Sequence, residues 1–202
     1  MSLNTLTKST LSLSFALALA ACQTPPVRTT QAPVAMQQSE VNFEFAHADY
    51  RTINQALEQG ELTSAELVTY YLQRIRAHNQ QGAELRAVIS LNPDALAEAE
   101  TLDKARKQGD VRGSLHGIPV LLKDNIDTAD GLANTAGSLL FAENFPEDDA
   151  ALVKNLRAQG AIILGKANLS EWANFRSTRS SSGWSGVGGL ARNPYDTTRS
   201  TC

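Results

Sequence analysis

The chain has 202 residues, 42 % hydrophobic and 19 % charged, with 18 Lys and Arg against 21 Asp and Glu for a formal net charge of −3. That is enough apolar material for a core of about one domain and too little charge for a disordered chain, and the balance leaves no basic footprint for a nucleic-acid backbone. Two cysteines cannot build a disulfide framework, three histidines without paired spacing argue against a structural zinc site, and no apolar run reaches the ~18 residues that a spanning helix needs.

Residues 1–21 carry one positive charge at Lys8, an apolar stretch from Leu11 to Ala21 and small residues at its end, the composition of a secretory signal. Leu19-Ala20-Ala21-Cys22 resembles the lipobox of bacterial lipoproteins. The resemblance implies cleavage before Cys22, acylation of that cysteine and attachment to a lipid bilayer. Gln23 follows it rather than Asp, which in Gram-negative lipoproteins favours the outer membrane, so the expected location is its periplasmic face. Residues 22–42 set Pro25, Pro26 and Pro33 among Thr, Gln and Ser, a polar, proline-stiffened tether with too little apolar surface to order itself. The folded portion is then 43–202.

From Tyr50 the pattern turns helical. Thr63-Ser64-Ala65-Glu66 reads as a capping box with Leu62 and Leu67 as its hydrophobic staple. Leu67, Val68, Tyr71, Leu72 and Ile75 fall on one face of a helix running to about His78. Residues 85–91 have the β-branched centre of a strand. Asn92-Pro93 supplies an N-cap and a first helical proline, followed by Ala95, Leu96, Ala99 and Leu102 at helical spacing. Ile118-Pro119-Val120-Leu121-Leu122 reads as a buried strand ending in Lys123-Asp124. Asp148 or Asp149 is placed to cap a helix through Gln159, Gly160 to end it, and Ala161–Leu164 to form another strand. The alternation predicts an α/β fold with a parallel or mixed sheet flanked by helices. Residues 177–189 are Ser/Gly-rich and read as a mobile or backbone-exposing loop.

Three segments invite a chemical reading. Gly160-Ala-Ile-Ile-Leu-Gly165-Lys166-Ala167 is close to a phosphate-binding P-loop, but its four intervening residues read as a strand and Ala167 replaces the magnesium-binding hydroxyl. Ser182-Gly-Trp-Ser185-Gly lacks the ordered glycines of a nucleophile elbow, and Ser138 reads as a turn residue. The third segment is the apolar run closed by Lys123; a lysine there is ordinarily a snorkelling side chain.

The flanks of Lys123 change that reading. Leu115-His116-Gly117-Ile118-Pro119-Val120-Leu121-Leu122-Lys123-Asp124-Asn125-Ile126-Asp127 closely resembles the amidase signature family of serine amidohydrolases. The resemblance continues through Thr135-Ala136-Gly137-Ser138, through residues 164–172 (Leu-Gly-Lys-Ala-Asn-Leu-Ser-Glu-Trp), and through Asn193-Pro194-Tyr195-Asp196. Residues 61–67 and 92–96 also look like that family's N-terminal helices. Together these blocks cover about residues 45 to 202.

The resemblance implies hydrolysis of a carboxamide C–N bond in a small amide substrate, with no cofactor and no metal, by a Ser–cis-Ser–Lys triad in which Lys123 is the lysine. Such a lysine acts as a base only when neutral, which burial favours, and Ile118, Val120 and Leu122 are the expected apolar surroundings. The family's glycine-serine motif is expected directly after Arg199-Ser200-Thr201-Cys202, so both serines are expected beyond this chain and the chain alone is expected to be inactive and its fold incomplete. The alternative is a truncated, non-catalytic lipoprotein that serves as a binding or interaction module.

Overall fold

The structure, a computed structural model, describes residues 43–175, 177–199 and 201; the expected signal peptide, Cys22 and the tether lie outside them. Among the described residues four α-helices, α1 (Tyr50–Gln59), α2 (Ser64–His78), α3 (Ala95–Lys107) and α4 (Ala151–Ala158), accompany five strands. These are β1 (Val88–Leu91), β2 (Pro119–Lys123), β3 (Ile162–Ala167), β4 (Trp184–Ser185) and β5 (Gly189–Leu190).

The helix starts follow from capping chemistry. Asp49 accepts a hydrogen bond from the Thr52 amide at 2.9 Å and opens α1. At α2 the Thr63 hydroxyl and the Glu66 carboxylate exchange bonds with each other's backbone N–H, as the sequence pattern predicts. The staple residues Leu62 and Leu67 are buried in one cluster with Ile53, Ala56 and Leu57 of α1. The first two amides of α2, those of Ser64 and Ala65, donate to the Asp103 carboxylate of α3 at 2.8 and 3.0 Å. A negative charge at a helix N-terminus is favourable, and here it also ties two helices together.

Three expectations shift. The 85–91 strand begins only at Val88, because Glu84 and Arg86 have left-handed backbones (φ 48° and 49°) that cannot pair in a ladder. The helix expected from Pro93 begins at Ala95; Asn92 instead turns its amide oxygen to the Asp94 amide (2.9 Å) and its amide nitrogen to the carbonyl of Ile163 (2.9 Å). Neither Asp148 nor Asp149 caps α4, whose N-cap is Ala150. Asp149 is committed elsewhere, to the Ala129 amide (2.8 Å) and to Arg157 (3.1 Å).

The sheet is mixed, with order β1-β3-β2: β3 runs parallel to β2 and antiparallel to β1. Ile162 and Leu164 pack with Val68 of α2 and with Ala95, Ala99 and Leu102 of α3, whereas Ile163 packs with Leu122 of β2 and Val153 of α4. The central strand is therefore covered on both faces, as its unbroken apolar run Ala161–Leu164 demands.

Pairing of β2 with β3 is interrupted by a bulge. Val120 faces Ile163 but Leu121 faces Gly165, leaving Leu164 as the extra residue. A bulge reverses the inside-outside alternation beyond it. Lys166, two residues after Leu164, would otherwise share its face; it is instead paired with buried Leu122. Gly165 makes this geometry possible, since a Cβ there would lie 2.2 Å from the Ser90 carbonyl oxygen of β1.

Candidate active site

The carboxyl ends of β2 and β3 are where a parallel pair presents groups to a ligand. Lys123 closes β2 and is exposed, on the same side as the exposed Leu121. The burial expected of it is therefore not observed among the described residues. Period-two alternation is the reason: Val120 and Leu122 turn the other way, into the α4 core, and Ile118 packs against the α1–α2 cluster.

Asp124, the next residue, is fully buried. Its amide donates to the Ala167 carbonyl (3.1 Å), its carbonyl accepts from the Ala136 amide (2.8 Å), and its Oδ2 accepts from the Thr135 hydroxyl. The Thr135 hydroxyl oxygen in turn accepts from the Gly137 amide at 2.9 Å. Burial pushes the Asp124 carboxyl above its ordinary value, opposed by the Thr135 hydrogen bond and the charge of Lys166. Lys166 is also fully buried, and its Nζ donates to the Ile126 carbonyl at 2.5 Å. Burial pushes its ammonium down, against the pull of Asp124, Asp130 and Asp127.

Residues 135–138 form a tight turn beside this pair. Ser138 donates its amide to the Thr135 carbonyl (2.9 Å) and is buried, so it is a turn residue as expected. Gly137 has φ +80°, and a Cβ on it would meet the Ser185 Cβ at 2.7 Å; only glycine fits where these segments cross. The Ala136 carbonyl accepts from the Trp172 amide (2.9 Å). Trp172, Ala173 and Asn174 all have left-handed backbones, φ 50°, 52° and 65°, a conformation costing roughly 1–2 kcal/mol per non-glycine residue.

Around this turn lies a cavity of about 440 Å³ whose lining includes the amides of Asn125, Asn134 and Asn144 and the rings of Phe141, Trp172 and Phe175. Phe141 meets Trp172 edge to face at 5.4 Å. A lining of apolar faces with a few convergent amides suits an organic molecule bearing hydrogen-bonding groups. A second cavity, of about 400 Å³, is lined by residues of α3, by Arg112 and Arg157 and by Ala161, at the opposite end of β3. Among the described residues no cluster of three or more His, Cys, Asp or Glu side chains is placed to hold a metal.

The Ser/Gly-rich segment is more ordered than its composition suggests. Trp184–Ser185 and Gly189–Leu190 pair as a short hairpin, held by Val187 N–H to the Gly137 carbonyl (3.1 Å) and Gly186 N–H to the Glu171 carboxylate (3.0 Å). Ser185 is buried; its hydroxyl donates to Asn168 Oδ1 (2.7 Å) and accepts from the Gly188 amide (2.8 Å). Ser182 accepts from the Asn174 amide nitrogen at 3.2 Å. The Ser185 hydroxyl serves the hairpin, and the Ser182 hydroxyl ties the segment before it to Asn174. Residues 161–164 lie in or at the start of a strand and their side chains are buried, which removes the P-loop reading.

A family model described as Amidase matches residues 66–202. The chain belongs to the amidase family. Peptide amidase from Stenotrophomonas maltophilia superimposes on it with a TM-score of 0.75 and 53 % identity, over 78 % of this chain and 32 % of that one. An amidase-family protein from Bacillus anthracis does so with a TM-score of 0.72 and 40 % identity, over 76 % of this chain and 30 % of that one. Among curated relatives, a probable amidase of Arabidopsis thaliana is 46 % identical over 155 residues, 76 % of this chain and 30 % of the relative. This amidase-family chain thus spans about a third of the length of these relatives.

Within the amidase-family chain, the structure brings Lys123, the 135–138 turn and the 168–172 segment to one end of the sheet. The Asn168 side chain joins three segments there, accepting from Ser185 and donating to the carbonyls of Arg86 (2.8 Å) and Gly189 (3.2 Å). In the sequence Asp124, Lys166 and Asn168 stand out only as letters of the family motifs. Their burial and cross-links depend on the bulge and on pairings across dozens of residues, which no local pattern signals.

Proposed function

We propose that this chain carries the base-bearing portion of an amide hydrolase acting through a Ser–cis-Ser–Lys triad, with Lys123 as the lysine and both serines supplied by sequence following residue 202. The observation that carries the reading is an exposed lysine at the carboxyl end of a parallel strand, two residues before Asn125, which lines the amide- and aromatic-lined cavity. Its family membership and a relative that is a peptide amidase support it.

Amides are poor electrophiles, so the route passes through an acyl-enzyme. The Lys123 amine takes the proton of the bridging serine as that serine takes the proton of the nucleophile. The nucleophile's oxygen bonds to the carbonyl carbon, and the tetrahedral intermediate collapses with loss of the amine, which receives the proton returned along the same chain. Water, activated identically, then hydrolyses the ester. Peptide-like and simple carboxamides are the proposed substrates, and residues 1–202 alone, outside which this reading places the nucleophile, are proposed to be inactive.

The test compares this chain, the gene product read to the length of its relatives, and Lys123→Ala and Lys123→Arg in the longer protein, on a panel of aryl, alkyl and peptide amides. The longer protein is expected to turn over and both variants to lose about 10²–10⁴-fold in kcat, since guanidinium keeps its proton. Hydrolysis by the purified 202-residue chain, or near-normal turnover by Lys123→Arg, overturns the assignment.

A further inference from the structure

Lys166 is the largest fully buried side chain among the described residues, and the reaction proposed above gives it no part. Its neighbour Asp124 is equally buried, and the Asp124 Oδ1 has no hydrogen-bond partner. Withdrawing two ionisable groups from water is costly, and an apolar pair of similar volume commonly does as well or better for stability. A pair retained in such a place is better explained by what it positions.

What it encloses is the backbone of Lys123. The Lys123 carbonyl accepts from the Ile126 amide (3.1 Å), and the Ile126 carbonyl accepts from Lys166 Nζ (2.5 Å). Asp124 is held on one side by Ala167 and on the other by Ala136 and Thr135. The turn after Lys123 is therefore tied to β3 by an ammonium and to the 135–137 turn by a carboxylate. Lys123 itself alternates outward from this framework, so the direction in which its side chain leaves the sheet is set by the turn beneath it. The β2–β3 bulge is what places Lys166 there.

We propose that Lys166 and Asp124 are a buried positioning pair, locking residues 123–126 between β3 and the 135–137 turn so that the Lys123 amine is held in the geometry its proton transfer needs. The proposal rests on the assignment of Lys123 as the base. Neither residue of the pair touches the substrate; both act through Lys123.

The test uses the longer protein with Lys166→Met, Asp124→Asn and the double variant. Each single change is expected to lower kcat about 100-fold, the loss that misplacement by about an ångström brings, with KM little altered. The double variant leaves no unmatched buried charge, so it is expected to lose no more kcat than the worse single variant. Amide hydrogen exchange gives a readout independent of turnover: the Ile126 and Ala136 amides are expected to exchange faster in each single variant, with those of α1 unchanged. Where a single variant fails to fold, the double variant decides alone, a folded protein with kcat reduced supporting the pair and one with normal kcat overturning it. Unchanged kcat in folded variants that merely melt lower, or strictly additive losses, also overturns it. A longer wild-type protein that hydrolyses no amide overturns the reading of Lys123, and with it the positioning role, whatever the exchange rates show.

Discussion

Lys123 and Lys166 sit one register step apart on adjacent strands, yet one is exposed and the other buried. One is exposed at the end of β2; the other is fully buried against the Ile126 carbonyl and near the carboxylates of Asp124, Asp127 and Asp130. The same logic of a single charge and its local donors applies at the helix ends. The backbone and hydroxyl of Thr52 hold the exposed Asp49 carboxyl below its ordinary value of 3.8. A carboxyl depressed by folding contributes stability that is fully present above its unfolded value and is lost as pH falls through the folded one. Asp49→Asn keeps a competent N-cap but removes the titrating group. Thermal melts taken from about pH 6 down to about pH 2 are expected to show a shallower acid-side fall in Tm for the variant, and identical slopes would rule out the cap as a contributor.

The element with the most consequence is the bulged β2–β3 pair. Gly165→Ala would bring a methyl group against backbone atoms of β1, which have no rotamer to escape into, so a loss of about 1–3 kcal/mol is expected, measured by urea unfolding with the m-value unchanged. The helix caps at α2, the staple, the proline-led strand β2 and the buried strand β3 are all readable from short-range pattern, because capping and alternation are local properties. The exposure of Lys123 is readable in principle from the same alternation, since Leu122 and Lys123 cannot share a face. The burial of Lys166 is not, because one extra residue at Leu164 reverses the parity and nothing in the string Ile-Ile-Leu-Gly-Lys marks it. Nor is the 184–190 hairpin legible, whose order comes from Gly137, Asn168 and Glu171 rather than from its own serines and glycines.

For the whole molecule, we propose that Cys22 is acylated and tethers the folded body to a membrane surface through residues 22–42. Among the described residues no helix is long and apolar enough to cross a membrane, and two or more acyl chains give stable attachment without one. Cell fractionation is expected to find the wild type with membranes and Cys22→Ser in the soluble fraction; equal distribution of the two would refute the anchor. The strand order has a consequence for biosynthesis. Neither β1 nor β2 pairs with the other, and both wait for β3, which begins roughly 40 residues after β2 ends. At about 5–20 residues per second, a growing chain spends about 2–8 s with two strands made and no sheet to join. During that interval the backbone groups of β1 and β2 have no partner strand in this sheet. Of the three strands in this sheet, the last to arrive is the one that joins the other two.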